Sequence, residues 1–167
     1  MSIVITLSMI ISSIFLADWK RIKEYYPTFL YITLGNHMYY YLTKGERLWE
    51  FNSPILTHRL IELLYLVIIL PLIAFIFLSQ YNEAHWFRYH VIWICLFSMI
   101  EYIQFLTNNI TYNHGWNIWW SILFYSIMFP MLRLHYKLPF LTLLLSTIPT
   151  LFFLWQFGFF SDVLQSK

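Results

Sequence analysis

The chain has 167 residues, of which 60% are hydrophobic, 22% aromatic and only 11% charged, with mean hydropathy +0.62 and a formal net charge of +2. Soluble domains carry roughly 25% charged residues, so a globule of this composition lacks the polar surface to meet water on all sides, and much of it must face lipid. So mild a positive balance, with no basic stripe interleaved with aromatics, excludes nucleic acid as a partner, and a single cysteine, Cys95, excludes intrachain disulfides and cysteine-rich metal or redox motifs.

Measured against the roughly 20 residues needed to cross a bilayer, the apolar runs predict one all-α domain over residues 1–167. It is a polytopic transmembrane helical bundle of about six spans, at 2–17, 27–43, 60–79, 91–111, 116–135 and 139–158. The first run has no basic leader and is followed by Asp18-Trp19-Lys20-Arg21 rather than small residues, so it reads as a retained span and not a signal peptide. The second carries Gly35, Asn36, His37 and the run Tyr39-Tyr40-Tyr41, too polar to face lipid all round; it packs inside the bundle, or else is re-entrant or interfacial. The third opens on His58, Arg59, Glu62 and Tyr65, where i,i+3 and i,i+4 spacing lets Glu62 pair with Arg59 and His58. The functional alternative there is an outer vestibule for a headgroup or small polar solute.

The fourth run holds the most informative constellation. Ser98, Glu101, Gln104 and Asn108 fall three, three and four residues apart and so share one helical face. Glu101 sits near the middle of the run, where a carboxylate costs on the order of 3 kcal/mol, so it should face the bundle or a wet cavity and have a partner or a bound proton. His37 occupies the matching depth of the second run, about 15 Å in, and the two are expected to be able to meet. A paired contact that fixes helix register is one reading; a proton, ion or substrate pathway through His37, Ser98, Glu101, Gln104 and Asn108 is another.

The fifth run, WNIWWSILFYSIMFPMLRLH, has two different ends. Trp116, Trp119 and Trp120 suit an outer interface, while Arg133, His135 and Lys137 suit an inner one, as a helix anchor touching anionic phospholipid. Pro130 leaves the carbonyl of Ser126 without its helical donor. Ser8 and Ser12 in the first run, and Thr142, Ser146 and Thr150 in the sixth, recur at four-residue intervals, as small residues do at helix contacts. Pro27, Pro54 and Pro139 stand at or before run starts, whereas Pro71 and Pro149 fall inside runs as bends.

Basic residues favour the cytoplasmic side of short loops. With the N-terminus outside, the inner connectors hold Lys20, Arg21, Lys23, Arg88, Arg133 and Lys137, against Lys44, Arg47, Arg59 and Lys167 outside, so both termini are expected to be extracytoplasmic. No histidine pair at i,i+4, phosphate loop, nucleophile elbow or Cys/His dyad occurs. Accordingly no catalytic residue, metal site or cofactor is expected.

Asp18-Trp19-Lys20, Tyr26-Pro27-Thr28, Leu48-Trp49, Glu101-Tyr102, Gly115-Trp116-Asn117, Trp120-Ser121 and above all Met128-Phe129-Pro130-Met131-Leu132-Arg133-Leu134-His135 carry a resemblance that extends over nearly the whole chain. The chain resembles an uncharacterised family of small polytopic membrane proteins of endospore-forming Firmicutes. That resemblance implies a bacterial cytoplasmic membrane location and the same span pattern, and it supplies no activity. The expected function is a non-enzymatic component that interacts with membrane lipids, and with another membrane protein or further copies of itself. The alternatives are a small-molecule or proton-coupled transporter, or its substrate-binding subunit, with a polar site around Glu101, and a membrane-embedded enzyme acting on lipid.

Overall fold

A computed structural model describes residues 2–43, 46–53 and 56–160, with side chains from Thr6 onward. The fold is all-α with one short β-ribbon. Helix α1 spans Ser2–Leu16, α2 Ile22–Leu42, α3 His58–Leu64, α4 Leu70–Ser79, α5 Trp86–Leu106, α6 Ile118–Lys137 and α7 Pro139–Gln156. Strand β1, Trp49–Phe51, pairs antiparallel with β2, Ile110–Tyr112, setting Glu50 opposite Thr111.

Helices α3 and α4 are one rod joined by a π-helical segment, Tyr65–Ile69. Pro71 explains the widening. Lacking an N–H, it cannot serve the carbonyl of Val67, and the ladder shifts so that the Leu70 amide donates to Tyr65 O, five residues back. Thr33 on α2 donates its hydroxyl to Leu66 O at 3.2 Å, covering a second carbonyl of the segment. The resulting six rods run alternately up and down between two ends. At one end Asp18 N donates to Ser79 Oγ at 3.0 Å, and Arg21 reaches Tyr136 Oη at 2.7 Å. At the other, Asn52 N donates to Asn109 O and Asn113 N to Leu48 O, both at 2.8 Å.

Three of these rods, His58–Ser79, Glu83–Leu106 and Pro139–Gln156, are long and apolar enough to cross a membrane. The sequence boundaries shift in instructive ways. The predicted fourth run, 91–111, is displaced toward the N-terminus, because α5 starts at Trp86 and ends at Leu106; Asn108 then takes a left-handed turn (φ 55) and the β-branched stretch Ile110–Tyr112 joins the ribbon. Pro27, expected at a run start, lies inside α2, which is one continuous helix. Trp116 is not part of α6: Asn117 caps that helix by accepting from Trp119 N at 3.0 Å, and Trp116 is buried while Trp119 is exposed. Pro54 lies outside the described residues.

The core is centred on α4, where Ile73, Ala74, Phe75, Ile76, Phe77 and Leu78 are all buried in succession. Helix α1 packs on α4, α4 on α2, and α6 contacts α2, α5 and α7. Tyr25, Phe29 and Ile32 of α2, Phe97 of α5 and Phe129 and Leu132 of α6 complete the main cluster. A second cluster, Leu48, Trp116, Leu154 and Phe159, closes the ribbon end. Outward faces are apolar too, from Phe15 and Ile14 on α1 to Phe140 and Leu144 on α7, a surface suited to acyl chains.

This division between packed and outward apolar residues is testable. Phe77 has 0% relative exposure and touches Trp93 and Phe129, so Phe77→Ala should destabilise the folded protein by about 3–5 kcal/mol. Phe140, at 85%, should tolerate the same change with little effect. Unfolding midpoints of both variants in one detergent check the pair.

Candidate functional site

Glu101 lies on the last turns of α5, facing the start of α6, with a relative exposure of 8%. Three hydroxyls converge on it from separate parts of the chain. Tyr112 of β2 donates to Oε1 at 2.7 Å, Ser121 of α6 also donates to Oε1, and Tyr125, one turn further along α6, donates to Oε2. Behind them, Trp116 Nε1 donates to Ser121 Oγ at 2.9 Å, which fixes the serine lone pairs and leaves its proton for the carboxylate. Burial, and then the Glu101 carboxylate, push the Tyr112 hydroxyl well above the ordinary tyrosine range, so Tyr112 stays a donor across the physiological range. Among the described residues no cation pairs with Glu101.

The fold places Glu101 closer to the ribbon end than the sequence suggests. Because α5 ends at Leu106, the carboxylate is about 7 Å from the helix terminus rather than at mid-depth. Its expected partner His37 is elsewhere. The buried stripe of α2 runs through Tyr25, Thr28, Phe29 and Ile32, at the i, i+3, i+4 and i+7 positions, and His37 falls off that stripe and is exposed. Of the predicted polar face, Glu101 and Gln104 are buried and Ser98 is half-buried, its Oγ enclosed without a hydrogen-bond partner. Asn108 lies beyond the helix, exposed, and lines an outer cleft with Asn52, Ser53, His58, Thr107 and Asn109.

The second cluster also rearranges. Glu62 pairs with Arg47, from the segment before β1, and not with His58 or Arg59, which are both exposed. Arg47 lies 5.1 Å from the centroid of the Tyr40 ring, which shields the pair. Tyr65 leaves the cluster for the π segment, where its ring stacks on Phe51 of β1 at 3.9 Å.

The inner cluster divides in two. Arg133 pairs with Glu83 and packs over Tyr81 at 4.4 Å, while Lys137 reaches Glu83 at 2.7 Å. His135 is not a lipid anchor. It is 5% exposed, with Nδ1 3.1 Å from Thr28 Oγ1 and its ring stacked on Tyr31 at 4.3 Å. The helical period accounts for the split, since His135 shares the α6 face of Leu132, which is fully buried against α2. Nearby, Arg21 first and then Tyr136 hold the Glu24 carboxyl below its ordinary range.

The residues missed from sequence all carry hydroxyls: Tyr112, Ser121 and Tyr125 at Glu101, Thr28 at His135, and Tyr31, which stacks on His135 and bonds Ser146. Ser121 and Tyr125 at i,i+4 were the available signal, but pairing them with Glu101 needs the packing of α5 on α6. Among the described residues, no group of three or more His, Cys, Asp and Glu side chains is placed to hold a metal ion. Glu101 lines neither the groove at Ile10, Ser13 and Val67 nor the cleft at Asn52 and Asn108. The arrangement is therefore a closed, hydroxyl-lined carboxylate in an apolar multi-helix protein. No family model matches the chain, and comparison with curated proteins and with solved structures finds no match.

Glu101→Leu should strand three hydroxyls in an apolar interior and destabilise the protein by roughly 3 kcal/mol or more. Glu101→Gln, which keeps the shape and one acceptor oxygen, should cost about half as much. Thermal unfolding in detergent, together with the near-ultraviolet signal of the surrounding tryptophans, measures both. Equal stability of wild type and Glu101→Leu would mean that the carboxylate holds nothing together.

Proposed function

We propose that the chain is a non-enzymatic, multi-pass protein of the bacterial cytoplasmic membrane, with all six rods crossing the bilayer and both termini extracytoplasmic. It works by contact: its outward apolar faces meet lipid and the flank of a membrane partner or a further copy, and its polar interior holds those faces in place. The observation that carries this reading is the state of Glu101. Its oxygens are engaged by Tyr112, Ser121 and Tyr125, drawn from the ribbon and α6, while His37 lies exposed on another face of α2. A carboxylate on a transport path needs a route and an exchangeable partner; one used as a pin needs fixed donors. The resemblance to small membrane proteins of endospore-forming Firmicutes fits the same reading.

Charge supports the orientation. The end formed by the α1–α2, α4–α5 and α6–α7 connections carries Lys20, Arg21, Lys23, Arg88, Arg133 and Lys137, the pattern of a cytoplasmic side. With Cys95 replaced by Ser, a cysteine at Asn113 should react with an impermeant maleimide on intact cells. One at Ala84 should react only after permeabilisation. The reverse result would invert the orientation.

The transport alternative is separated by proton flux. Vesicles containing the wild-type protein should take up protons under an imposed potential no faster than protein-free vesicles. An uptake that disappears in Glu101→Gln, in a variant that still folds, would replace the contact function with a proton path.

A further inference from the structure

We propose that the groove between α1 and the π segment holds one acyl chain of an anionic phospholipid, whose headgroup sits beside Lys20 and Lys23; the proposal rests on the membrane-spanning reading above. The groove, about 440 Å³, is lined by Ile10, Ile14, Trp19, Val67, Ile68 and Leu72. It lies where the ladder is widened ahead of Pro71, beside the stretch over which α1 packs on the π segment and α4. Ser13, the polar residue in its wall, has its capacity used: Oγ donates to Ile10 O at 2.7 Å, and its carbonyl accepts from Trp19 Nε1 at 3.0 Å. Nothing in the groove is left to hold water, which needs two to four polar partners. Hydrocarbon is the complementary filling.

The groove has a polar mouth at one end only. Trp19, half-exposed and with its indole N–H already spent, closes the inner end, an aromatic ring at the level where headgroups begin. Lys20 follows directly and Lys23 stands one turn on, both exposed. The acids nearby are committed elsewhere. Glu24 pairs with Arg21 at 2.8 Å, and Asp18 Oδ1 accepts from Lys20 N at 3.2 Å to cap the turn Trp19–Arg21. Among the described residues neither lysine ammonium has an ion-pair partner. Two unpaired cations at the end of a hydrocarbon trough match an anionic headgroup on an acyl chain. A second copy of the chain fits less well, because copies inserted with the same orientation would bring these same lysines together.

The test uses full-length protein in phosphatidylcholine vesicles containing a trace of phospholipid with a photoactivatable diazirine in its acyl chain, as either the phosphatidylglycerol or the phosphatidylcholine analogue. Adducts on the peptides holding Ile10, Ile14, Val67 and Ile68 should form with the phosphatidylglycerol analogue in roughly tenfold excess. Val67→Trp, which fills the trough, should remove them. The double variant Lys20→Glu, Lys23→Glu, confined to the surface, should bring the two analogues to parity. Equal labelling of the wild type by both analogues overturns the proposal, as does labelling unchanged in a Val67→Trp protein of normal helical content. Should Val67→Trp lose its helical content, the double-lysine variant decides. A protein that fails to float with the vesicles removes the membrane reading and this proposal together; one that floats with an unlabelled groove removes this proposal alone.

Discussion

A polar group in hydrocarbon has no water to fall back on, and the rest of this fold follows from how each one finds a partner inside the protein. Most do so within one turn. Thr142 donates to Leu138 O at 2.9 Å, Ser146 to Thr142 O at 2.7 Å and Thr150 to Ser146 O at 2.8 Å, so that the hydroxyl face of α7 is spent along its own backbone. Others reach across rods, as Tyr31 does to Ser146 at 2.7 Å and Tyr89 to Phe77 O at 2.8 Å. Glu101 is the extreme case, a carboxyl that no single neighbour can satisfy. Collecting donors from β2 and α6 ties the ribbon, α5 and α6 into one corner.

The two ends of the bundle solve different problems. The ribbon end covers the rods with packed aromatic rings. Tyr39 lies on Trp49 at 4.7 Å, Trp49 against Trp116 at 4.9 Å, and Trp116 against Phe157 at 5.2 Å. The connecting turn needs two successive left-handed residues, His114 (φ 53) and Gly115 (φ +81), to bring Trp116 back over the ribbon. The opposite end is charged. Arg21, Glu24 and Tyr136 form one linked set and Arg133, Glu83, Lys137 and Tyr81 another, held at a depth where guanidinium groups can pack on rings and still touch water. The apolar sheath between these two ends includes the three rods long and apolar enough to cross a membrane.

How much of this was legible depended on whether the information was local. Helix, strand and turn preferences are local, and the rods emerged from apolar runs with ends displaced by a few residues. The displacement at 107–111 has a local cause, because in Thr107-Asn108-Asn109-Ile110-Thr111 two asparagines followed by β-branched residues favour a turn and a strand over more helix. Glu101 and Gln104 as buried groups were also legible, since helical spacing put them on one face. Partners were not. Equal depth on two rods suggested His37 for Glu101, yet depth says nothing of rotation about the helix axis, and α2 turns His37 away. Likewise the basic cluster at 133–137 looked uniform in sequence, while a helix rotates its residues apart, sending His135 inward to Thr28 and Lys137 outward to Glu83.

An uncompensated carboxyl inside an apolar bundle invites a functional explanation, because insertion makes it costly. Geometry offers another. Three O–H donors meet here, and the group that receives them must present several lone pairs in two directions. A glutamine offers one oxygen and brings two N–H donors, which Ser121, Tyr112 or Tyr125 would receive only by turning their own protons elsewhere; a leucine offers nothing. A carboxylate alone among side chains of this length accepts on both oxygens. The position near the end of α5 sets the carboxyl close to the ribbon, and Trp116 keeps the Ser121 hydroxyl aimed at it. On this account position 101 carries a carboxyl because the hydroxyls of β2 and α6 all turn their protons toward it, and the junction of β2, α5 and α6 needs one acceptor large enough to receive them.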